Sequence, residues 1–318
     1  MSRGARTGSA LRLLAAAAIV ASACATPTSS DSADQGAGTL DDGFPVTVVA
    51  ANGEVTIPRR PQRVVSLSAT ATEVLFAIGA GAQVVAVDST SDFPPEAPTT
   101  QLSALEPNVE AIASYEPDLV VASDDIGDLS ASLEALGIPL VLQPAAVNLD
   151  ETYAQIEQLG TATGKAGGAT DTVARMRQDI EEIVAGAPSF PEPPTYYHEL
   201  DQSYFTATSD TFIGHVYALL GLQNIADRAK GAASGYPQLS AEYILQADPD
   251  LIFLADTKCC HQDAETVAAR PGWDRITAVR TGGVVELDDD VASRWGPRVV
   301  DFLEVAAAAV SRLAPVGV

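Results

Sequence analysis

Between Ala166 and Ala187 the chain reads AGGATDTVARMRQDIEEIVAGA. Val173, Met176, Ile180, Ile183, Val184 and Ala187 recur at three- and four-residue steps, which puts them on one face of a helix. Arg175, Arg177, Gln178, Asp179, Glu181 and Glu182 fall between or opposite them and can face water. Thr170 or Asp171 can cap the start, and Gly186 with Pro188 stops the helix. On either side the period changes. Arg63–Leu67, Gln83–Val87, Leu119–Ala122 and Pro139–Leu142 are short continuous apolar runs, as strands buried on both faces read. Helical segments alternate with them: Glu73–Ile78, Asn108–Tyr115, Leu129–Leu136 and Leu149–Leu159. Phe44–Pro58 alternates and turns at Asn52-Gly53, a hairpin signal.

After the middle helix the same grammar resumes. Strands are predicted over Thr195–Leu200, Leu251–Ala255 and Gly283–Leu287. Helices are predicted over Thr211–Leu220, Ala241–Gln246, Trp273–Val279 and Pro297–Leu313. Strands alternating with helices imply parallel, doubly wound sheets. One segment repeats closely. Asn108-Val-Glu110-Ala-Ile112, followed by Pro117-Asp118-Leu119, matches Ser240-Ala-Glu242-Tyr-Ile244, followed by Pro249-Asp250-Leu251, at a constant offset of 132. The expected architecture is therefore α/β, with two Rossmann-like lobes at 45–164 and 188–318 joined by one helix over 165–187.

Composition narrows the partners. Eighteen basic against 42 acidic residues give a formal charge of −24, which argues against nucleic acid or anionic lipid as a partner of the folded part. The first residues are of another kind. Arg3, Arg6 and Arg12 precede the apolar run Leu13–Val20 and the small residues Ala21-Ser22-Ala23, the pattern of a secretory signal over 1–23. Ala21-Ser22-Ala23-Cys24 also resembles a lipobox, in which Cys24 is lipidated and anchors the chain to the membrane. Ordinary cleavage after Ala23 is the alternative, since Ala21 stands where Leu is usual. Residues 24–44, rich in Ser, Thr, Asp and Gly, read as a flexible tether. Beyond Cys24 the chain has two cysteines, the adjacent Cys259 and Cys260, which can oxidise to each other in an exported protein. Their Cα atoms, about 3.8 Å apart, are closer than unstrained disulfides prefer, so the bridge is expected to be easily reduced.

In open α/β sheets ligands bind beyond the carboxyl ends of the strands. Those ends are Ser68–Thr72, Thr90–Pro95, Ser123–Gly127 and Pro144–Val147 in the first half, and Asp201–Thr206, Asp256–His261 and Asp288–Trp295 in the second. They carry Phe93, Tyr204, Phe205 and Trp295 beside Lys258, Arg294 and Arg298, which are the candidate ligand-binding residues. The same loops carry Asp124, Asp125, Asp128, Glu199, Asp201, Asp288, Asp289 and Asp290, so a neutral or cationic ligand is favoured over a trianionic one. His198, His215 and His261 are scattered, and no Gly-x-Ser-x-Gly elbow or phosphate loop occurs, which leaves neither hydrolase nor ATPase chemistry. No catalytic residue, cofactor or metal site is expected. A direct metal-ion or haem binder, a surface adhesin, or a redox protein using Cys259-Cys260 are the competing readings.

RVVSLSATATEVLFAIG, SDFPPEA, the twin Pro-Asp-Leu segments, RPGWDRITAVRTGGVVEL and SRWGPRVVDFL together resemble the cobalamin and ferric-siderophore binding proteins of ABC importers, over about residues 45–315. That resemblance implies two lobes flanking a single long helix, with a ligand cleft between them. It also implies a monomer that captures a cobalamin or Fe(III)-siderophore and delivers it to a permease dimer with its ATPase subunits. A Glu on each lobe of that family docks onto permease arginines, and the matching positions are expected at Glu73 and Glu242. SDFPPEA most resembles the cobalamin binders, which set an aromatic at the Phe93 position against the corrin. Leu105 stands near where they carry another aromatic, and Cys259-Cys260 lies outside their pattern.

Overall fold

The structure is a computed structural model that describes residues 43–314. The expected leader, Cys24 and nearly all of the expected tether lie outside the described residues.

The described chain opens with a hairpin of β1 (Val46–Ala50) and β2 (Gly53–Ile57), paired antiparallel from Val46↔Ile57 to Ala50↔Gly53. Asn52 at its tip pins it to the neighbouring sheet, donating to the Leu140 carbonyl and accepting from the Leu142 amide. Then come β3 (Val64–Leu67), α1 (Ala69–Ala77), β4 (Val84–Val87), α2 (Val109–Ala113), β5 (Leu119–Ala122), α3 (Leu129–Ala135), β6 (Leu140–Leu142) and α4 (Leu149–Thr163). The four strands form a parallel sheet in the order β4-β3-β5-β6. Gly164, in the left-handed region at φ 70°, turns the chain from α4 into α5 (Ala166–Gly186).

The second sheet is parallel too, with order β10-β9-β7-β8. It is built from β7 (Thr195–Glu199), α6 (Phe212–Ala218), β8 (Gln223–Asn224), α7 (Ala241–Ala247), β9 (Leu251–Leu254), α8 (Thr257–Cys260), α9 (Ala264–Ala268), α10 (Thr277–Thr281), β10 (Val284–Glu286), α11 (Asp289–Ser293) and α12 (Val299–Leu313). The two-lobed α/β architecture with parallel sheets is as expected from the pattern.

The face of α5 read from its periodicity is the buried one, through Val173, Met176 and Ile180, with Ala169 and Thr172 added. It does not stand alone as a rod. It packs on α4 and α12, and one apolar cluster runs from Leu75 and Ile156 through Met176 and Ile180 to Tyr217, Phe302 and Val310. Close approach is enforced by glycine. A Cβ on Gly168 would sit 2.1 Å from the Ile78 carbonyl oxygen, and one on Gly160 would sit 2.4 Å from the Ala169 Cβ. A core continuous through both lobes resists large hinge motion, because packed interiors transmit strain rather than absorb it.

Four local expectations differ from the structure. The helix expected at Glu73 begins at Ala69, because the Ser68 side chain caps it by accepting from the Ala71 amide. Helix α5 begins at Ala166, with Lys165 at the N-cap position and no side-chain cap, rather than being capped by Thr170 or Asp171. The stretches 256–261 and 288–295, expected as loops, each contain one helical turn, α8 and α11. The expected helix over Trp273–Val279 is a 3₁₀ turn at Trp273–Arg275 followed by α10.

Candidate functional site

The loops after β3 and β4 are fixed by a hydroxyl network. Thr72 bonds the hydroxyls of Ser66 and Ser91 at 2.9 Å each, and both Thr90 and Ser91 donate to the buried Asp88. Phe93, two residues on, is left 39% exposed, with the Arg298 guanidinium 4.2 Å from its ring centroid. An exposed phenyl over a cation is a ready stacking platform.

Arg298 and Arg294 come from the segment that joins α11 to α12 and reach the first lobe. Arg294 donates to Glu73 at 2.8 Å, to the Thr90 carbonyl at 2.9 Å and to Asp92 at 3.0 Å, and also pairs with Asp290 at 2.8 Å. Arg298 grips both oxygens of Glu73, at 3.0 and 2.5 Å. Trp295 donates its indole N–H to Gln155 of α4 at 3.0 Å. The loops beyond β10 and β4 therefore meet, and the carboxyl ends of the two sheets share one cleft. This overturns the expectation for Glu73. It sits in the second turn of α1, is 3% exposed, and its charge is consumed by two arginines, so it presents no carboxylate to an outside partner. Starting α1 four residues early is what rotated Glu73 inward.

In the second lobe Phe205 is 39% exposed and bridges antiparallel to Gln238. Thr206 and Thr208 donate their amides to the Pro237 and Gly235 carbonyls, which holds Tyr236, 50% exposed, on the neighbouring loop. Tyr204 is less available, stacked 5.7 Å from the buried Trp273. Lys258 bridges Asp288 at 2.8 Å and Asp290 at 2.7 Å. Many acids of the cleft are occupied locally: Asp289 caps α8, Asp288 caps α11, Asp125 accepts from the Ser130 amide and Asp201 from the Ser203 amide.

Below this rim lies a buried carboxyl pair. Glu199, at the end of β7, is fully buried and held by Arg270 through two bonds of 2.5 and 2.6 Å. Asp256, at the end of β9, is also fully buried, and neither of its oxygens has a hydrogen-bonding partner among the neutral and cationic groups around it. Burial, and then the charge of Glu199, pushes the Asp256 carboxyl up to about 7, with Arg270 opposing. His198, next to Glu199 on β7, is pushed the other way by burial, to about 3, and is neutral. The folded state thus holds a proton on Asp256 that the unfolded chain releases near pH 4. Its contribution is present at low pH and is lost as pH rises toward 7, while that of His198 runs in the opposite sense between about 6.5 and 3. Comparing variant with parent isolates one group. Asp256→Asn is expected to raise Tm by several degrees at pH 8 and by only a small part of that at pH 4.5. Thermal scans at both pH values check it, and an equal shift at the two would refute it.

Of the residues expected at the ligand site, Phe93 and Phe205 are exposed platforms, and Trp295 is half-buried and tied to Gln155. Arg294, Arg298 and Lys258 line the cleft, already paired, and Tyr204 is largely spent on Trp273. Glu242 is exposed in the first turn of α7. Cys259 and Cys260 are bridged to each other. The pattern names Glu199 only as one of the loop acids and does not single out Asp92, Gln155, Tyr236 or the pairing of Glu199 with Asp256 and Arg270. Tyr236, an aromatic between Gly235 and Pro237, carried a usable signal; the others depend on partners far along the chain.

Residues 64–291 match the family described as periplasmic binding protein. An uncharacterized ABC transporter substrate-binding lipoprotein of Bacillus subtilis (strain 168) is 30% identical over 306 residues, covering 92% of this chain and 94% of the relative. A cobalamin-binding protein of Halobacterium salinarum is 32% identical over 269 residues, covering 81% of this chain and 72% of that one. The crystal structure of the periplasmic vitamin B12 binding protein of Vibrio cholerae superposes with a TM-score of 0.66 at 25% identity, over 79% of this chain and 97% of that one. These relatives are binding proteins, not enzymes. Their likeness runs through both lobes and the helix between them, and with the cleft described above it places the chain in the periplasmic binding protein family.

Proposed function

We propose that the protein captures a metal chelate of neutral or cationic character, cobalamin first and a ferric hydroxamate second, and delivers it to an ABC permease dimer. The observation that carries the ligand class is the state of the cleft's cations. Arg294, Arg298 and Lys258 are each paired with carboxylates, while Phe93, Phe205 and Tyr236 stay exposed. A flat or compact chelate gains from burying aromatic faces. A trianionic catecholate finds Asp92, Asp288 and Asp290 around cations that are already satisfied. The likeness to a cobalamin-binding and a vitamin B12-binding protein supports the same choice. The direct metal-ion reading is less supported, since no group of three or more His, Cys, Asp or Glu among the described residues is placed to hold an ion.

The test is tryptophan fluorescence of the exported chain, titrated separately with cyanocobalamin, ferrioxamine, haem and a ferric tricatecholate, with inner-filter controls. Trp295 is half-buried at the cleft and Trp273 is fully buried, so the two report differently. Saturable quenching by cyanocobalamin is expected, mostly lost in Trp295→Phe. Phe205→Ala is expected to weaken binding about tenfold, as removal of an aromatic anchor does. Saturation by the catecholate alone would overturn the charge reading.

For docking, the carboxylate that mirrors Glu242 is Glu110. Each is exposed in the first turn of its helix, α2 or α7, after a capping Asn108 or Ser240. Each helix precedes a parallel strand, so its start lies at the carboxyl end of the sheet, beside the cleft mouth. The pair replaces Glu73 and Glu242 as the proposed contact with permease arginines. Membrane anchoring through lipidated Cys24 belongs to the same reading, supported by the lipoprotein relative.

A further inference from the structure

We propose that the Cys259–Cys260 disulfide is a redox-sensitive element of the cleft, coupled through α8 and α11 to the arginine that bridges the two lobes. The ligand part of this inference rests on the function proposed above.

Helix α8 is a single turn of four residues, too short to persist without outside support. It has two such supports. One is the disulfide, which closes a small ring across the peptide between Cys259 and Cys260. The other is Asp289, whose carboxylate accepts from the amides of Thr257, Lys258 and Cys259 and from the Thr257 hydroxyl. The same corner continues outward. Lys258 holds Asp288 and Asp290; Asp290 also holds Arg294; Arg294 holds Glu73, Asp92 and the Thr90 carbonyl of the other lobe. A continuous line of charge-assisted bonds thus leads from the disulfide to the interlobe bridge. Cys259 is exposed and Cys260 partly so, which leaves the sulfurs open to attack, and exposed disulfides are the labile ones.

The chemistry is thiol–disulfide exchange with a dithiol reductant. Its thiolate attacks one Sγ, the Cys259–Cys260 bond breaks, and a mixed disulfide forms. The second reductant thiol then resolves that bond. Two electrons and two protons pass to the protein, leaving two cysteine thiols and an oxidised reductant. With the ring open, α8 keeps its Asp289 contacts at the start and the Thr257 bond to the Leu287 carbonyl but loses the clamp at its end; it frays there, Lys258 loses its fixed position, and Asp290 and Arg294 rearrange.

The experiment uses the exported chain, oxidised or treated with dithiothreitol and desalted, with the state of the 259–260 peptide read by mass. Amide hydrogen exchange and cyanocobalamin affinity are measured on both forms. Reduction is expected to speed exchange in α8 and α11 and also at residues 88–93 of the other lobe, and to weaken cyanocobalamin binding about fivefold or more. The double variant Cys259→Ser with Cys260→Ser is expected to match the reduced form and to ignore dithiothreitol. Exchange changes confined to 257–261, or equal affinity of both forms, would overturn the coupling. If cyanocobalamin binds neither form while exchange still changes at 88–93, the ligand reading fails and the coupling stands.

Discussion

Glu73→Ala is expected to lower stability by about 3–5 kcal/mol, the usual cost of removing one partner from a buried charge cluster. Glu73 is 3% exposed and Arg294 is 8% exposed, so neither recovers full hydration when the other is lost. The variant leaves Arg298 without either of its carboxylate bonds and Arg294 without its 2.8 Å partner. Asp92 and Asp290 still hold Arg294, which places the cost toward the lower end. For a folded unit of this size that is a Tm drop on the order of 10 °C. The drop is expected to persist in high salt, because buried pairs are screened little. Thermal scans of parent and variant at low and high salt check it. A Tm within a degree or two of the parent, accompanied by lost uptake, would instead return Glu73 to the docking role that its sequence context suggested.

The contrast between what was and was not legible follows contact range. Strands β3, β5 and β9 are buried on both faces, so β5 and β9 read as unbroken apolar runs and β3 as one interrupted only by Ser66, and α5 reads from its period alone. The repeat at 132 residues is visible because both copies need the same local devices: a capping side chain, a first-turn acid and a Pro-Asp break. The start of α1 was missed because Ser68-Ala-Thr-Ala-Thr72 is as compatible with a loop as with a capped helix. The Ser68 cap and the packing of Ala71, Leu75 and Ile78 on the shared core decide it together. The role of Glu73 depends on arginines 221 and 225 residues away, and that of Trp295 on Gln155, 140 residues away. Helix α8 stands on a carboxylate brought in by the fold, Asp289, which reaches back 30 residues to Cys259. No window of sequence contains both ends of such contacts.

Reversing both rim carboxylates, Glu110→Arg with Glu242→Arg, is expected to abolish permease-dependent uptake while leaving ligand affinity unchanged and lowering Tm by only a few degrees. The stability half of this follows from exposure and the helix dipole: both side chains lie on the surface, and a cation in place of an acid in a first turn costs about 0.3–1 kcal/mol at each site. The caps themselves, Asn108 and Ser240, are untouched. The uptake half follows from placement. Two like charges on separate lobes, at equivalent helix starts, define a line across the cleft mouth that a symmetric permease dimer can match with two basic patches. Such contacts set register and association rate more than contact area does. Like-charge juxtaposition at both ends costs several kcal/mol, enough to lower occupancy by two or more orders of magnitude. Each single reversal leaves one end engaged, and an intermediate uptake rate is expected, more sensitive to salt than the parent's. Uptake of labelled ligand into vesicles carrying the cognate permease and ATPase separates the cases. Loss of uptake in the double variant with intact binding supports docking through Glu110 and Glu242. Undiminished uptake would mean that the permease recognises another face, and pairing Glu73→Ala with the same assay would show whether the first lobe contributes through the buried arginine cluster instead.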